Sequence, residues 1–198
     1  MLGGVIGGAL ALPCVPRKPR EEVEGGVYHV FARGNDKRLI YRDDADRRTY
    51  LNMLRGTVRQ CRWRLLAYCL MENHVHLLIE TPEANLARGM QRMHGLYARE
   101  FNARHRRSGH VFQGRYGAVR IKTDEQLWMV AVYVAMNPVG AGLCARPDAW
   151  PWSSHSAVLA GVAPEWIDVP RLLSYFGSAG GDARRRYLEL STSRGQTP

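Results

Sequence analysis

The sequence predicts an α+β fold of the split βαβ, ferredoxin-like kind: an antiparallel sheet with helices on one face and a C-terminal, tyrosine-bearing helix. Three observations predict it. Strand-like and helix-like segments follow one another in the order strand, helix, strand, strand, helix, strand, helix. The two central strands are separated by only Glu72-Asn73, which makes them a hairpin. The helical segments are apolar along one side, as helices laid on a sheet must be.

The first strand, residues 27–33, reads VYHVFAR and is closed by Gly34-Asn35-Asp36. Asp43-Asp44 then supply capping acids to a helix over 45–60, with Tyr50, Leu51, Leu54 and Val58 on one face. The hairpin strands are 63–71 and 74–80. A second helix over 83–102 places Leu86, Met90, Met93, Tyr97 and Phe101 on one side and Arg88, Arg92 and Arg99 nearly opposite. A loop around 105–114 leads to a fourth strand over 116–122. The third helix, 124–137, is halted by Pro138. In this order one sheet face is covered by two helices, and the other is left available.

The flanks are weaker in pattern. Residues 1–24 read as an unstructured or mis-started extension; the apolar run at the start lacks a positive n-region and is too short to span a bilayer. Residues 146–198 read as an extension packing on the domain, with a short helix over 170–176, a flexible break at 177–181 and a disordered end from 191. Trp63, Trp128, Trp150 and Trp152 read as core.

Composition narrows the class. With 45% hydrophobic and 23% charged residues, the chain is neither disordered, fibrous nor a multi-span membrane protein. Its 28 Lys+Arg against 18 Asp+Glu give +10, which points to a polyanionic partner; no membrane partner is expected. Only three of these cations are lysines, so the basic surface is built from guanidinium groups, suited to forking onto phosphates. Between 86 and 122 stand nine cations and one acid, Glu100. The four cysteines form no CxxC pair or zinc-ribbon spacing, and reduced thiols in a cytoplasm fit them best.

Two constellations carry chemistry. In NHVHLLIE, 73–80, period two puts His74 and His76 on one strand face, within reach of a shared metal ion. Two merely hydrogen-bonded histidines fit the same spacing. In YVAMN, 133–137, Tyr133 and Asn137 stand at i and i+4 on one helix face, where they could meet one substrate or could be a half-buried phenol and a helix terminator. Combined with the arginines, they suggest phosphoryl transfer in which the tyrosine attacks and a divalent metal polarises the phosphate. A phenol is a poor nucleophile at neutral pH, so it needs such help. A zinc hydrolase fits less well, because no Glu or Asp stands at metalloprotease spacing.

The sequence also resembles the HUH single-tyrosine transposases, specifically the REP-associated tyrosine transposases of bacteria. The resemblance covers about residues 25–154 through five blocks in the family's order: VYHVFARGN, MENHVHLLIE, GHVFQGRY, YVAMNPVGAGL and WPWSS. It implies a transposase domain over 25–145 that cuts single-stranded DNA. His74 and His76 would bind Mg²⁺ or Mn²⁺, Tyr133 would form a 5′-phosphotyrosine, and Asn137 would help complete the metal site. The implied partner is single-stranded DNA with hairpin-forming repeats, bound by a monomer or homodimer. Candidate DNA contacts are Arg33, Asn35, Arg88, Arg92, Arg99, Arg104, Arg106, Arg107, Gln113 and Arg115. Two positions depart from the family pattern: Gly140 replaces the usual arginine after NPV, and Phe112 the more typical tryptophan, which leaves substrate preference open. A catalytically inactive module that binds structured single-stranded DNA or RNA as a regulator is the alternative. A replication or conjugation initiator is disfavoured by the compact chain.

Overall fold

The structure, a computed structural model, describes residues 22–177 and 180–193. Strands β1 (Gly26–Arg33), β2 (Arg64–Leu70), β3 (His74–Thr81) and β4 (Gly117–Ile121) form one sheet in the order β2-β3-β1-β4, every neighbouring pair antiparallel. This is the ferredoxin-like α+β arrangement. The helices are α1 (Asp44–Cys61), α2 (Leu86–Arg104), α3 (Asp124–Gly140), α4 (His155–Ala160), α5 (Val169–Ser174) and α6 (Gly180–Ser193). Among the described residues no helix is long and apolar enough to cross a membrane.

Alternation divides each strand between two cores. Tyr28, Val30, Val75, Leu77 and Ile79 point to one face, where Tyr50 and Leu54 of α1 and Met90, Met93 and Tyr97 of α2 cover them. α2 lies close over Trp63 and the end of α1 because Gly89 has no side chain: a Cβ there would lie 2.2 Å from the Trp63 ring and 3.0 Å from Cys61 Sγ. On the other face Val27, Leu66 and Leu78 meet Leu127, Ala131 and Val134 of α3, with Leu172, Leu173, Phe176 and Tyr187 behind them.

That second layer corrects the expectation of an open face. β2 and β3 are buried over nearly their whole length, so their outward apolar residues need a cover, and α3 with the C-terminal helices supplies it. Glu80 fastens the cover: it accepts from Arg64 of β2, from Arg171 of α5 and from the Tyr175 hydroxyl. What stays uncovered is the β1–β4 corner, where Phe31 and Val119 are exposed.

Two further expectations change. Pro138 does not halt α3, which runs through it to Gly140; it stands within three residues of the helix end, and the turn is completed by bonds from Ala141, Gly142 and Leu143 back to Asn137, Val139 and Pro138. The end expected to be disordered from 191 is helical to Ser193, because α6 packs Ala183 and Tyr187 into the second core. The expected N-terminal extension, up to residue 21, the centre of the expected break at 178–179 and residues 194–198 lie outside the described residues. Of the four predicted core tryptophans, Trp63 is buried, while Trp128, Trp150 and Trp152 are half-buried.

Candidate active site

The uncovered end of the second face is where the chemistry-bearing residues meet. His74 and His76 open β3 on its α3 side, as their period-two spacing requires. The turn before them is tied down on both sides. Asn73 donates from Nδ2 to the Lys37 carbonyl and presents Oδ1 to His74 Nδ1 at 2.7 Å, while its own carbonyl accepts from Gly34. Asp36 and Lys37 reach this geometry with left-handed backbone, φ 52° and 58°.

These bonds fix the His74 tautomer. With Asn73 Nδ2 used as a donor, its Oδ1 is an acceptor, so His74 Nδ1 carries the proton and Nε2 the lone pair. That lone pair faces the Asn137 carboxamide, with Oδ1 3.1 Å from Nε2. Two acceptors at this distance are satisfied by a cation between them or by rotating the carboxamide so that its N–H₂ donates. α3 continues as a helix past Asn137, so Tyr133 and Asn137 do share the face that meets the strand.

His29, on β1, completes the group. Its Nε2 lies 3.0 Å from His76 Nδ1, and the two rings stack with centroids 5.2 Å apart. The Tyr133 ring stands edge-on to both, 5.2 Å from His76 and 5.7 Å from His29, and is 49% exposed. His76 Nε2 is buried with no hydrogen-bond partner. Burial, followed by the neighbouring His29 and His74 charges, pushes the His76 pKa down to about 3; burial also lowers those of His29 and His74. All three imidazoles are therefore neutral at physiological pH, the form that offers a lone pair to a metal.

The donor set fits a divalent cation. His74 Nε2 and the Asn137 oxygen face one another, and His76 Nε2 is a buried polar atom without a partner. Among the described residues no group of three His, Cys, Asp or Glu stands together as a metal cage. A cation here has only two imidazoles and an amide from the protein and would keep positions for water and phosphate oxygens, as Mg²⁺ commonly does.

The other predicted site residues divide by location. Arg33 is close enough for its charge to lower the His74 pKa. With Gln113, Arg115, Phe31 and Gly117 it lines a cleft of about 280 Å³ beside the histidines. The loop carrying Gln113 is held there by bonds from Gln113 N to the Arg33 carbonyl and from Asn35 N to the Val111 carbonyl. The Phe31 ring lies over Gly117, where a Cβ would come within 2.3 Å of it. Arg88, Arg92 and Arg99 are exposed on α2, in the helix layer on the opposite side of the sheet. Arg106 is exposed, and Arg107 packs its guanidinium 5.6 Å from the Phe101 ring centroid. Arg104 is bound by Asp43 and Asp46 of α1, which turns it toward its own fold. Of the two departures, Phe112 is buried and stacked 4.2 Å from His94, so its ring serves packing, whereas Gly140 is exposed at the end of α3.

Sequence reasoning missed His29 and Asn73 as partners of the two histidines. The alternation in VYHVF places His29 on the same face as Phe31 and Arg33, but only the β1–β3 register, with His29 opposite Leu78 and Phe31 opposite His76, sets its ring beside His76.

Two histidines on an inner strand, facing a tyrosine on the helix laid over it, define a nucleic-acid-processing domain of the HUH class. The chain belongs to the IS200-like transposases, a family of DNA-cleaving enzymes: the family profile described as "Transposase IS200 like" matches residues 22–137. A curated protein of Haemophilus influenzae, named as a REP-associated tyrosine transposase, is 30% identical over 171 residues, covering 77% of this chain and 94% of that protein. A solved structure, described as a REP-associated tyrosine transposase bound to a REP hairpin, is similar with a TM-score of 0.62 at 18% identity, over 76% of this chain and 89% of that one.

Proposed function

We propose that the chain cleaves and rejoins single-stranded DNA through Tyr133, with a divalent cation, Mg²⁺ or Mn²⁺, held by His74, His76 and Asn137. The observation that carries this reading is the meeting of these four side chains at one uncovered end of the sheet, with His76 Nε2 buried and unpartnered. The cation, when bound, offsets the charge of the phosphodiester and orients it in line with the attacking oxygen.

The chain's own residues do the rest. Asn73 holds His74, and His29 holds His76, so that both Nε2 lone pairs are presented without rotamer searching. The exposed Tyr133 phenol loses its proton to water, its oxygen bonds to phosphorus, and the P–O3′ bond breaks. The products are a 5′-phosphotyrosine and, once protonated, a free 3′-hydroxyl. The phosphodiester energy is kept in the protein–DNA bond, so attack by a 3′-hydroxyl reverses the step and joins strands. Arg33 and Arg115, beside the site, are placed to hold the strand's phosphates. Hairpin-forming DNA is the substrate class we assign, in keeping with the hairpin bound by the structurally similar transposase.

The test is a denaturing-gel adduct assay on labelled single-stranded hairpin oligonucleotides, comparing wild type with Tyr133→Phe in Mn²⁺ or EDTA. A slow-migrating band is expected only with wild type and metal. A band that persists in Tyr133→Phe would move the nucleophile to another tyrosine. Tight binding without any band would make the chain a DNA-binding module.

A further inference from the structure

The end of the sheet that α3 leaves uncovered carries an aromatic ring that the chemistry of Tyr133 and the histidines does not use. Phe31 is 39% exposed, although Val27, on the same face of the same strand, is buried. The strand registers set it between His76 of β3 and Gly117 of β4. Its ring lies down over Gly117, since a Cβ there would come within 2.3 Å of Cε2 and Cζ. Any side chain at 117 would push the ring upright, so the glycine lets one face of Phe31 rest on the sheet and leaves the other to solvent. Val119, 57% exposed and opposite His29, continues the apolar surface along β4. The fold gains nothing from leaving these two side chains bare, because covering them would add stability. The cleft of about 280 Å³ beside Phe31 is polar on its other side. Arg33, Gln113 and Arg115 line it, all three are exposed, and neither arginine makes an ion pair among the described residues. A cleft of this size has room for a flat base and none for a duplex.

We propose that the outer face of Phe31 stacks on the base of a nucleotide adjoining the scissile phosphate, and so sets which phosphate of the strand comes to Tyr133. This rests on the reading of the chain as a tyrosine transposase. The distances suit it. The His29 ring stands 5.7 Å from the Tyr133 ring and 5.4 Å from the Phe31 ring, so the platform is one ring removed from the nucleophile, the reach of one nucleotide along a strand. Phe31 also lies 6.4 Å from His76, on the strand that bears the proposed metal ligands. A bare ring flanked by unpaired guanidinium groups matches a single strand, in which every flat base is joined to a phosphate. Stacking of this kind demands a base free of its own neighbours, which a paired stem does not offer. It also tolerates any base, because each has a π-face, so the contact fixes position along the strand more than sequence.

The test uses full-length wild type, Phe31→Leu and Phe31→Trp. An abasic site is walked through the single-stranded flanks of the hairpin oligonucleotide that gives the tyrosine adduct, or of the tightest-binding hairpin if none does, and affinity is measured by fluorescence anisotropy. On intact DNA Phe31→Leu should bind roughly tenfold more weakly, the usual size of one base–aromatic stack, and Phe31→Trp within about twofold of wild type. One abasic position should weaken wild type by a similar factor and leave Phe31→Leu unaffected. That position should adjoin the cut, which is read from the length of the released 3′-hydroxyl fragment. Affinity for Mn²⁺ without DNA, followed by electron paramagnetic resonance, should be the same in all three proteins, which also shows that the variants are folded. Unchanged binding by Phe31→Leu would overturn the proposal, and so would abasic losses that add to that of Phe31→Leu at every position. A sensitive position remote from the cut would overturn it too, as would a fall in Mn²⁺ affinity in Phe31→Leu, which would make the ring a prop for His29 and His76. If wild type forms no adduct yet one abasic position and Phe31→Leu still fail to add, the catalytic reading fails and the stacking site stands.

Discussion

A neutral imidazole has one lone pair, and its hydrogen-bonded neighbour decides which nitrogen carries it. For His76 that neighbour is His29, 3.0 Å from Nδ1. When Nδ1–H donates to His29, the buried Nε2 is left bare and turned to the site. His29→Leu removes the acceptor and should weaken Mn²⁺ binding roughly 10- to 100-fold, as loss of a bond behind a metal-binding histidine typically does. His29→Gln, whose amide oxygen can accept from Nδ1, should recover most of it. Electron paramagnetic resonance of free Mn²⁺ during titration reads this without any DNA; equal affinities in all three proteins would show that His29 only fills space. The same contrast explains what the sequence disclosed at this scale. His74 with His76, and Tyr133 with Asn137, are pairs within one element, so the strand and helix periods alone put each on one face. His29 and Asn73 act across strands and turns, and no periodicity relates residue 29 to residue 76. The arginines were visible as charge but not as partners, so nothing in the sequence tied Arg104 to Asp43 and Asp46.

At the scale of elements, the α1–α2 pair is secured at one end by Asp46. It is buried, accepts from the Arg42 backbone N–H, and meets both Arg104, the last residue of α2, and His105 just after it. Asp43 caps α1 through the Asp46 N–H, and the Arg104 guanidinium beside it holds its carboxyl well below the usual range. Asp46→Asn leaves buried donors facing an amide and should cost about 3 kcal/mol, a fall in Tm of roughly 10 °C in a protein of this size. Arg104→Gln should also lower Tm while leaving hairpin affinity within about twofold of wild type. Calorimetry and anisotropy on the two variants check both; a large affinity loss with unchanged Tm would return Arg104 to the DNA surface. The elements from β1 to β4 were legible from their periods and the turns or caps at their ends, and α3 from its Thr123 cap and continuous apolar run. The cover over the second face was not: α4 and α5 have six residues each, too few to show a period, and α3 is apolar on most sides, so the sequence did not say which strands it would lie on.

Across the whole molecule, several histidines are folded in their neutral form. His94 meets the Tyr50 hydroxyl and His155 the Tyr187 hydroxyl, and burial lowers their pKa values to about 3 and about 4, beside about 3 for His76. In the unfolded chain each titrates near the ordinary value of 6.5. Above that value neither state binds the proton and these groups leave stability unchanged. Below it the unfolded chain binds protons that the folded one refuses, so stability falls with pH down to the folded values. Each group contributes a slope of at most about 1.4 kcal/mol per pH unit. Asp43 acts in the same direction, but its contribution is lost only as pH drops below the unfolded carboxylate value, under this window. Urea unfolding should therefore show stability nearly flat from pH 8 to 7 and dropping steeply between 6 and 4.5. His94→Gln and His155→Gln should each make that drop shallower, even where they lower stability at pH 7. Mn²⁺ should raise stability at pH 7 by binding the folded state alone. An acid limb unchanged by either substitution would place the sensitivity in carboxylates instead, and the absence of any Mn²⁺ gain at pH 7 would remove the imidazoles as ligands of the ion.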